Sequence, residues 1–265
     1  MKAFVIDVKR CTGCHGCQVG CKDEHFYNDW SPYAKPQPEI GQFWLKVNQY
    51  ERGAVPHVKV SFVTMLCQHC DNAPCIKAAP DAVTKRPDGL VLLDSEKAKG
   101  NKKLVDACPY GVIYWNEEEQ YPQKCTGCAH LLDRGWPIKV PRCVDNCALS
   151  VIQFGEESEL DLSGTEVLHP EYGTKPRVYY RGLPKKFIAG TVYDPVEKEI
   201  IKGATVILKG EAGTFTATTD HYGDFWLRDL PEADFELTIN YFGKNKVMSV
   251  STKEKDIGLG NIPLS

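Results

Sequence analysis

A chain of 265 residues is long enough for one large domain or two ordinary ones. Its 42% apolar and 25% charged residues describe a folded globular protein and exclude a disordered one. A formal net charge of −3 leaves no basic excess with which to neutralise nucleic-acid phosphates. No apolar run approaches the roughly 18 to 20 residues of a membrane-spanning helix. Met1–Asp7 lacks the apolar core of a signal peptide, so the expected location is the cytoplasm unless a partner with its own export signal carries the chain along.

In chain order, the first feature is a tight group, Cys11, Cys14, Cys17 and Cys21. Cys67, Cys70 and Cys75 form a second group. Ala82–Lys85 and Leu90–Leu93 then flank Arg86, Pro87, Asp88 and Gly89, a pattern that predicts a β-hairpin closed by an Asp-Gly turn. A lone Cys108 follows, and Cys125, Cys128, Cys143 and Cys147 make the last group. Residues 156–186 are polar and carry Pro170, Pro176 and Pro184, which predicts an irregular connector. From Phe187 the pattern turns to short alternating stretches: Thr205–Leu208, Thr214–Thr218, Phe225–Leu227, Glu236–Ile239 and Val247–Val250. Strands at such close spacing predict a small all-β antiparallel sandwich or barrel.

All twelve cysteines fall before residue 148. Disulfides fit poorly, because a reducing compartment and a chain of this length neither permit nor need them. Zinc is the stronger rival, and Cys125, Cys128, Cys143 and Cys147 alone could pass for a zinc site. The first group suits iron and sulfide better. Three thiolates at i, i+3 and i+6 wrap a short loop around three corners of one [4Fe–4S] cube, and the fourth cysteine serves the other cube of a pair. Gly13, Gly16 and Gly127 suit loops in which backbone N–H groups approach sulfur.

Exchanging fourth ligands between the first and last groups gives two quartets. The first is Cys11, Cys14, Cys17 and Cys147; the second is Cys125, Cys128, Cys143 and Cys21. The middle groups give a third, Cys67, Cys70, Cys75 and Cys108. Its mate at ferredoxin spacing would need cysteines where Ala79, Ala98, Asn101 and Leu104 stand. All four ligands of that one cube are missing together, so twelve cysteines predict three [4Fe–4S] clusters with none left over. The expected architecture is α+β: a ferredoxin-like domain over residues 1–155, the connector over 156–186, and the β-domain over 187–265, the last a docking or stabilising appendage.

These motifs resemble the iron–sulfur electron-transfer subunits of the dimethyl-sulfoxide-reductase (molybdopterin) family. The likeness continues through Glu96–Gly100, Cys108–Val112, Tyr114–Glu119, Gln123–Thr126, Cys128–Asp133 and Gly173–Tyr180. The resemblance implies a large catalytic partner subunit holding molybdenum or tungsten on a bis-pyranopterin guanine dinucleotide. It implies no substrate site on this chain. The variety with one cluster fewer and a carboxy-terminal β-domain acts on phenolic rings, whether by hydroxyl transfer or as a net-redox catechol dehydroxylase or resorcinol hydroxylase. Lys22 and Ala148 stand where the ferredoxin pattern has proline after the fourth cysteine; the proline is not a ligand.

Other residues read as structural. His15, His25, His57, His69 and His130 are expected as hydrogen-bond partners or surface groups, since the thiolates already complete the quartets. Glu117–Glu119 reads as a solvated face, and Trp30, Trp44, Trp115 and Trp136 as packing residues. Gly258, Leu259 and Gly260 are too few for a dinucleotide loop. A colourless zinc-binding interaction module is the remaining reading from another class.

Overall fold

The computed structural model describes residues 1–265 and divides into two compact units. One comprises Met1–Gln49 and Ser61–Leu183; the other comprises Tyr50–Val60 and Pro184–Ser265.

The first unit is organised by a four-stranded sheet in the order Ile152–Glu156, Lys2–Asp7, Val178–Arg181, Thr165–Glu166. Lys2–Asp7 is central because Ala3, Phe4, Val5 and Ile6 are all buried, so the strand is covered on both faces. It pairs antiparallel with one neighbour (Phe4 opposite Phe154) and parallel with the other (Phe4 opposite Val178). Val178–Arg181 lies within the stretch expected to be an irregular connector. Its alternation is only four residues long, with Val178 and Tyr180 inward, and the surrounding prolines hide it.

Around the sheet lie short elements that shape loops. The predicted hairpin is present, Val83–Lys85 against Val91–Leu93. Gly89 closes its turn at φ +94°, a conformation that suits glycine, while Asp88 accepts the Leu90 N–H at 3.1 Å. A second hairpin joins Ile113–Asn116 to Tyr121–Lys124. The longest helix, Gly16–His25, has ten residues, and the other α-helices have four or five.

The second unit holds two four-stranded sheets. In one, Lys186–Asp194 pairs with Glu199–Ile200, Asp224–Leu230 and Ile257–Pro263. In the other the order is Gly213–Thr218, Thr205–Gly210, Asp234–Tyr241, Lys244–Ser251. Period-2 alternation puts Val206, Leu208, Leu237 and Ile239 of one sheet in a single core with Ile188, Val192, Phe225 and Leu227 of the other. The unit is not wholly antiparallel: Ile257–Pro263 runs parallel to Lys186–Asp194 and contains Gly258, Leu259 and Gly260. The hairpin of Lys46–Ala54 and His57–Met65 starts in the first unit and contributes its tip to the second. There Arg52 pairs with Asp256 at 3.1 Å, and buried His57 faces Asp224 and Thr191, each at 3.3 Å. No helix is long and apolar enough to cross a membrane.

Candidate metal centres

The helix Gly16–His25 carries Cys17 and Cys21 on successive turns, and the loop before it presents Cys11 and Cys14. The helix lies close against the segment bearing Cys143 and Cys147. A Cβ at Gly16 would stand 3.0 Å from the Asn146 carbonyl, and one at Gly20 would stand 1.7 Å from Asn146 Nδ2 and 2.7 Å from its Cγ. This glycine-lined approach brings the helix bearing Cys21 close to the segment bearing Cys147. Gly20→Ala should therefore cost about 1–3 kcal/mol through overpacking. Chemical denaturation checks this, and an unchanged midpoint would mean that Asn146 swings aside freely.

Cys11, Cys14, Cys17 and Cys147 line one cavity, with Val47, Thr64, Val151 and Ile152. Cys67, Cys70, Cys75 and Cys108 line another, with Val91, Val112, Ile113 and Lys124. Cys21, Cys125, Cys128 and Cys143 are all buried. Burial pushes the Cys21 and Cys143 thiols well up, and each feels Cys125 and Cys128 as neighbours. Two sets of four cysteines therefore each line a single cavity, and the other four are buried.

The donor chemistry fits an iron–sulfur group. Burial raises Cys17, Cys70 and Cys128 to about 12 and Cys125 to about 11, so these thiols ionise only beside a strongly cationic centre. Backbone donors are in place for the ionised sulfurs: Gly127 N–H reaches Cys125 Sγ at 3.3 Å and His69 N–H reaches Cys67 Sγ at 3.5 Å. Gly127 holds φ +64°, with Leu90 2.8 Å from where a Cβ would sit. No three His, Cys, Asp or Glu side chains converge on a single ion. A cube, unlike a tetrahedral ion, spreads its thiolates over its corners.

The quartets stand in a row. Cys17 of the first is an electrostatic neighbour of Cys21 and Cys143 of the second. Cys125 of the second is a neighbour of Cys67 of the third. Tyr114 lies among Cys125, Cys108 and Cys21, where burial raises its phenol. Cys14 is exposed and Cys108 is half-buried, so the row has a more open end at each side of its buried centre.

Two of the histidines, His69 and His25, lie against cysteine sulfurs. Nδ1 of His69 accepts the Val91 N–H at 3.0 Å, which puts its proton on Nε2, 3.9 Å from Cys125 Sγ. His25 is buried with Nε2 4.0 Å from Cys128 Sγ, against Trp44 and His130; burial first, then His130, lowers its pKa to about 3. His130 pairs with Glu24 at 3.0 Å under Trp30, His15 is exposed beside Gln18, and His57 belongs to the second unit. Trp115 and Trp136 lie at half-buried positions, Trp115 donating to Glu117. Glu117 also pairs with Lys102, within the turn between the strands of the second hairpin.

Three lysines beside cysteines escape a reading by spacing. Lys22 reaches the Pro38 and Gln42 carbonyls from the position where the ferredoxin pattern has proline. Lys85 ties the His69, Cys70 and Gly89 carbonyls together and pairs with Asp71 at 2.8 Å. Lys124 is buried, with Nζ 3.5 Å from Cys67 Sγ, 2.9 Å from the Cys125 carbonyl and against the Val91 carbonyl. Burial opposes its ammonium, but the thiolates of Cys67, Cys75 and Cys125 outweigh that and hold its pKa above the usual lysine value. In the sequence only Lys22 and Lys124 adjoin a cysteine, Lys85 carries no such mark, and a lone lysine reads as surface.

Residues 58–157 match the 4Fe-4S dicluster domain family, and residues 188–258 match the carboxypeptidase regulatory-like domain family. The chain is 41% identical to the pyrogallol hydroxytransferase small subunit of Pelobacter acidigallici, covering 98% of each chain. It is 34% identical to the B polypeptide of tetrathionate reductase from Salmonella typhimurium, over 70% of this chain and 74% of that one. It is likewise 34% identical to the B polypeptide of anaerobic dimethyl sulfoxide reductase from Escherichia coli, over 66% and 85%. With thiol groups suited to iron and sulfide, and with such identity to the Pelobacter protein, this polypeptide belongs to the family of 4Fe–4S electron-transfer subunits of the molybdopterin oxidoreductases, as a non-catalytic member of the complex.

Proposed function

We propose that this chain is the electron-carrying small subunit of a heteromeric complex acting on phenolic rings, most like pyrogallol–phloroglucinol hydroxytransferase. In this reading it pairs with a large catalytic subunit that holds molybdenum or tungsten on a bis-pyranopterin guanine dinucleotide. What supports the reading is that eight of the twelve cysteines line two cavities in sets of four and the other four are buried, alongside 41% identity to the Pelobacter subunit. The ligand assignment is Cys11, Cys14, Cys17 and Cys147; Cys21, Cys125, Cys128 and Cys143; and Cys67, Cys70, Cys75 and Cys108. The second unit is read as a β-sandwich that docks or stabilises, and the location as cytoplasmic, where free thiols stay reduced.

A [4Fe–4S] group accepts or gives one electron with little movement of its ligands. The protein's part is to hold the thiolates, to aim N–H groups such as those of Gly127 and His69 at sulfur, and to exclude water with Val91, Val112, Val151 and Ile152. Hydroxyl transfer between polyphenols has no net redox change, so in that reaction the row serves to set or reset the oxidation state of the partner's metal.

The test uses the purified complex. Turnover of a polyphenol without a stoichiometric donor, with molybdenum or tungsten on the large chain, is the expected result. A requirement for one donor equivalent per turnover would instead make this the input subunit of a catechol dehydroxylase or resorcinol hydroxylase. A colourless protein with zinc and no acid-labile sulfide would overturn both.

A further inference from the structure

Among the charged groups near the quartets, Lys124 stands apart. It ends the strand Tyr121–Lys124, and the residue is only 3% exposed. Its Nζ reaches Cys67 Sγ and the Val91 and Cys125 carbonyls, so one thiol and two carbonyls occupy its three donors. No carboxylate pairs with it. Of the other cations here, Lys85 pairs with Asp71 and Arg142 with Glu24 and Asp145, while Lys22, beside Cys21, is bonded to the Pro38 and Gln42 carbonyls and not to a sulfur. A buried ammonium is costly unless an anion faces it. The anions facing this one are thiolates, with Cys67 of the third quartet in contact and Cys125 of the second on the adjoining residue.

We propose that Lys124 is a potential-setting residue, a cation wedged between the second and third quartets that makes the third the preferred resting place of an electron. The inference rests on the quartet reading above. A [4Fe–4S] group gains one negative charge on reduction, and a positive charge touching one of its sulfurs favours that state. An electron passing from the second quartet to the third oxidises one group and reduces the other by one. No proton has to follow, because the compensating charge is already in place. No such unpaired cation touches a sulfur of the first quartet, so the row slopes toward the third.

The experiment is a potentiometric titration of the intact complex followed by electron paramagnetic resonance, in wild type and in Lys124→Met, Lys124→Gln and Lys124→Arg. Cys108→Ser identifies the third-quartet signal. In the Met and Gln variants that signal should shift so that its reduced-to-oxidised ratio at the wild-type midpoint falls at least about tenfold, about 59 mV for one electron. The first-quartet signal should stay fixed, and Lys124→Arg should restore the midpoint. Full iron with unmoved midpoints, equal shifts of all signals, or identical behaviour of Gln and Arg would overturn the proposal. Loss of third-quartet iron in both neutral variants would overturn it too, by making the lysine an assembly residue. A wild-type complex without three clusters would be a failure of the quartet reading itself, and iron analysis separates the two cases.

Discussion

Cys143→Ala should lower iron and acid-labile sulfide from about twelve of each per chain to about eight, and stop electron flow along the row. Cys143 lies in the buried second quartet, close to Cys128, Cys21 and Cys125, and also near Cys17 of the first. Alanine offers iron no ligand, and the nearest histidines, His25 and His69, lie against Cys128 and Cys125 and not at the position Cys143 leaves. The outer cavities keep their own cysteines, so their groups should remain and their resonance signals should persist. What disappears is the step between them. An artificial donor should still reduce one end of the complex while the other end stays oxidised. Iron still near twelve would refute the assignment of Cys143, and complete loss of iron would show that the quartets do not assemble independently.

The quadruple variant Ala79→Cys, Ala98→Cys, Asn101→Cys and Leu104→Cys should bind no fourth cluster. Sequence spacing makes these four positions the ligands of a missing cube, and the fold has filled the place. Leu104 is 0% and Ala98 1% exposed, in a cluster with Val83, Val91, Leu93 and Ile113, and Ala79 packs against it. Shortening Leu104 in that setting costs about 2 kcal/mol through lost burial, and enlarging Ala98 costs about 1–3 kcal/mol through overpacking. Iron should stay near twelve while the unfolding midpoint falls. Recovery of about sixteen iron atoms would mean that the apolar cluster can be displaced by a cube.

Spacing made the thiol groups legible because a short loop around a cube fixes the intervals at which cysteines must occur. It made the hairpin at Val83–Leu93 legible through an Asp-Gly turn, and the strands of the second unit through their alternation. It failed where the deciding partner lies far away in sequence. Val178–Arg181 is a strand because Lys2–Asp7 receives it, and Ile257–Pro263 is parallel because Lys186–Asp194 does. Lys124 and Lys85 carry no periodic signature; what marks them is the sulfur and carbonyl atoms that close around them. The glycines at 16 and 20 were visible as residues, but their purpose appears only once Asn146 stands against them.

The borrowed hairpin tip has a consequence for how the chain can be made and cut. A gene fragment beginning at Pro184 encodes the second unit without Arg52, Gly53 and His57, leaving Asp256 and Asp224 to face empty positions. During synthesis, residues 50–60 leave the ribosome well over a hundred residues before the strands that receive them. The second unit therefore cannot complete itself until the last strand has emerged. A break anywhere between Val60 and Pro184 would separate that unit into pieces that no longer share a covalent backbone.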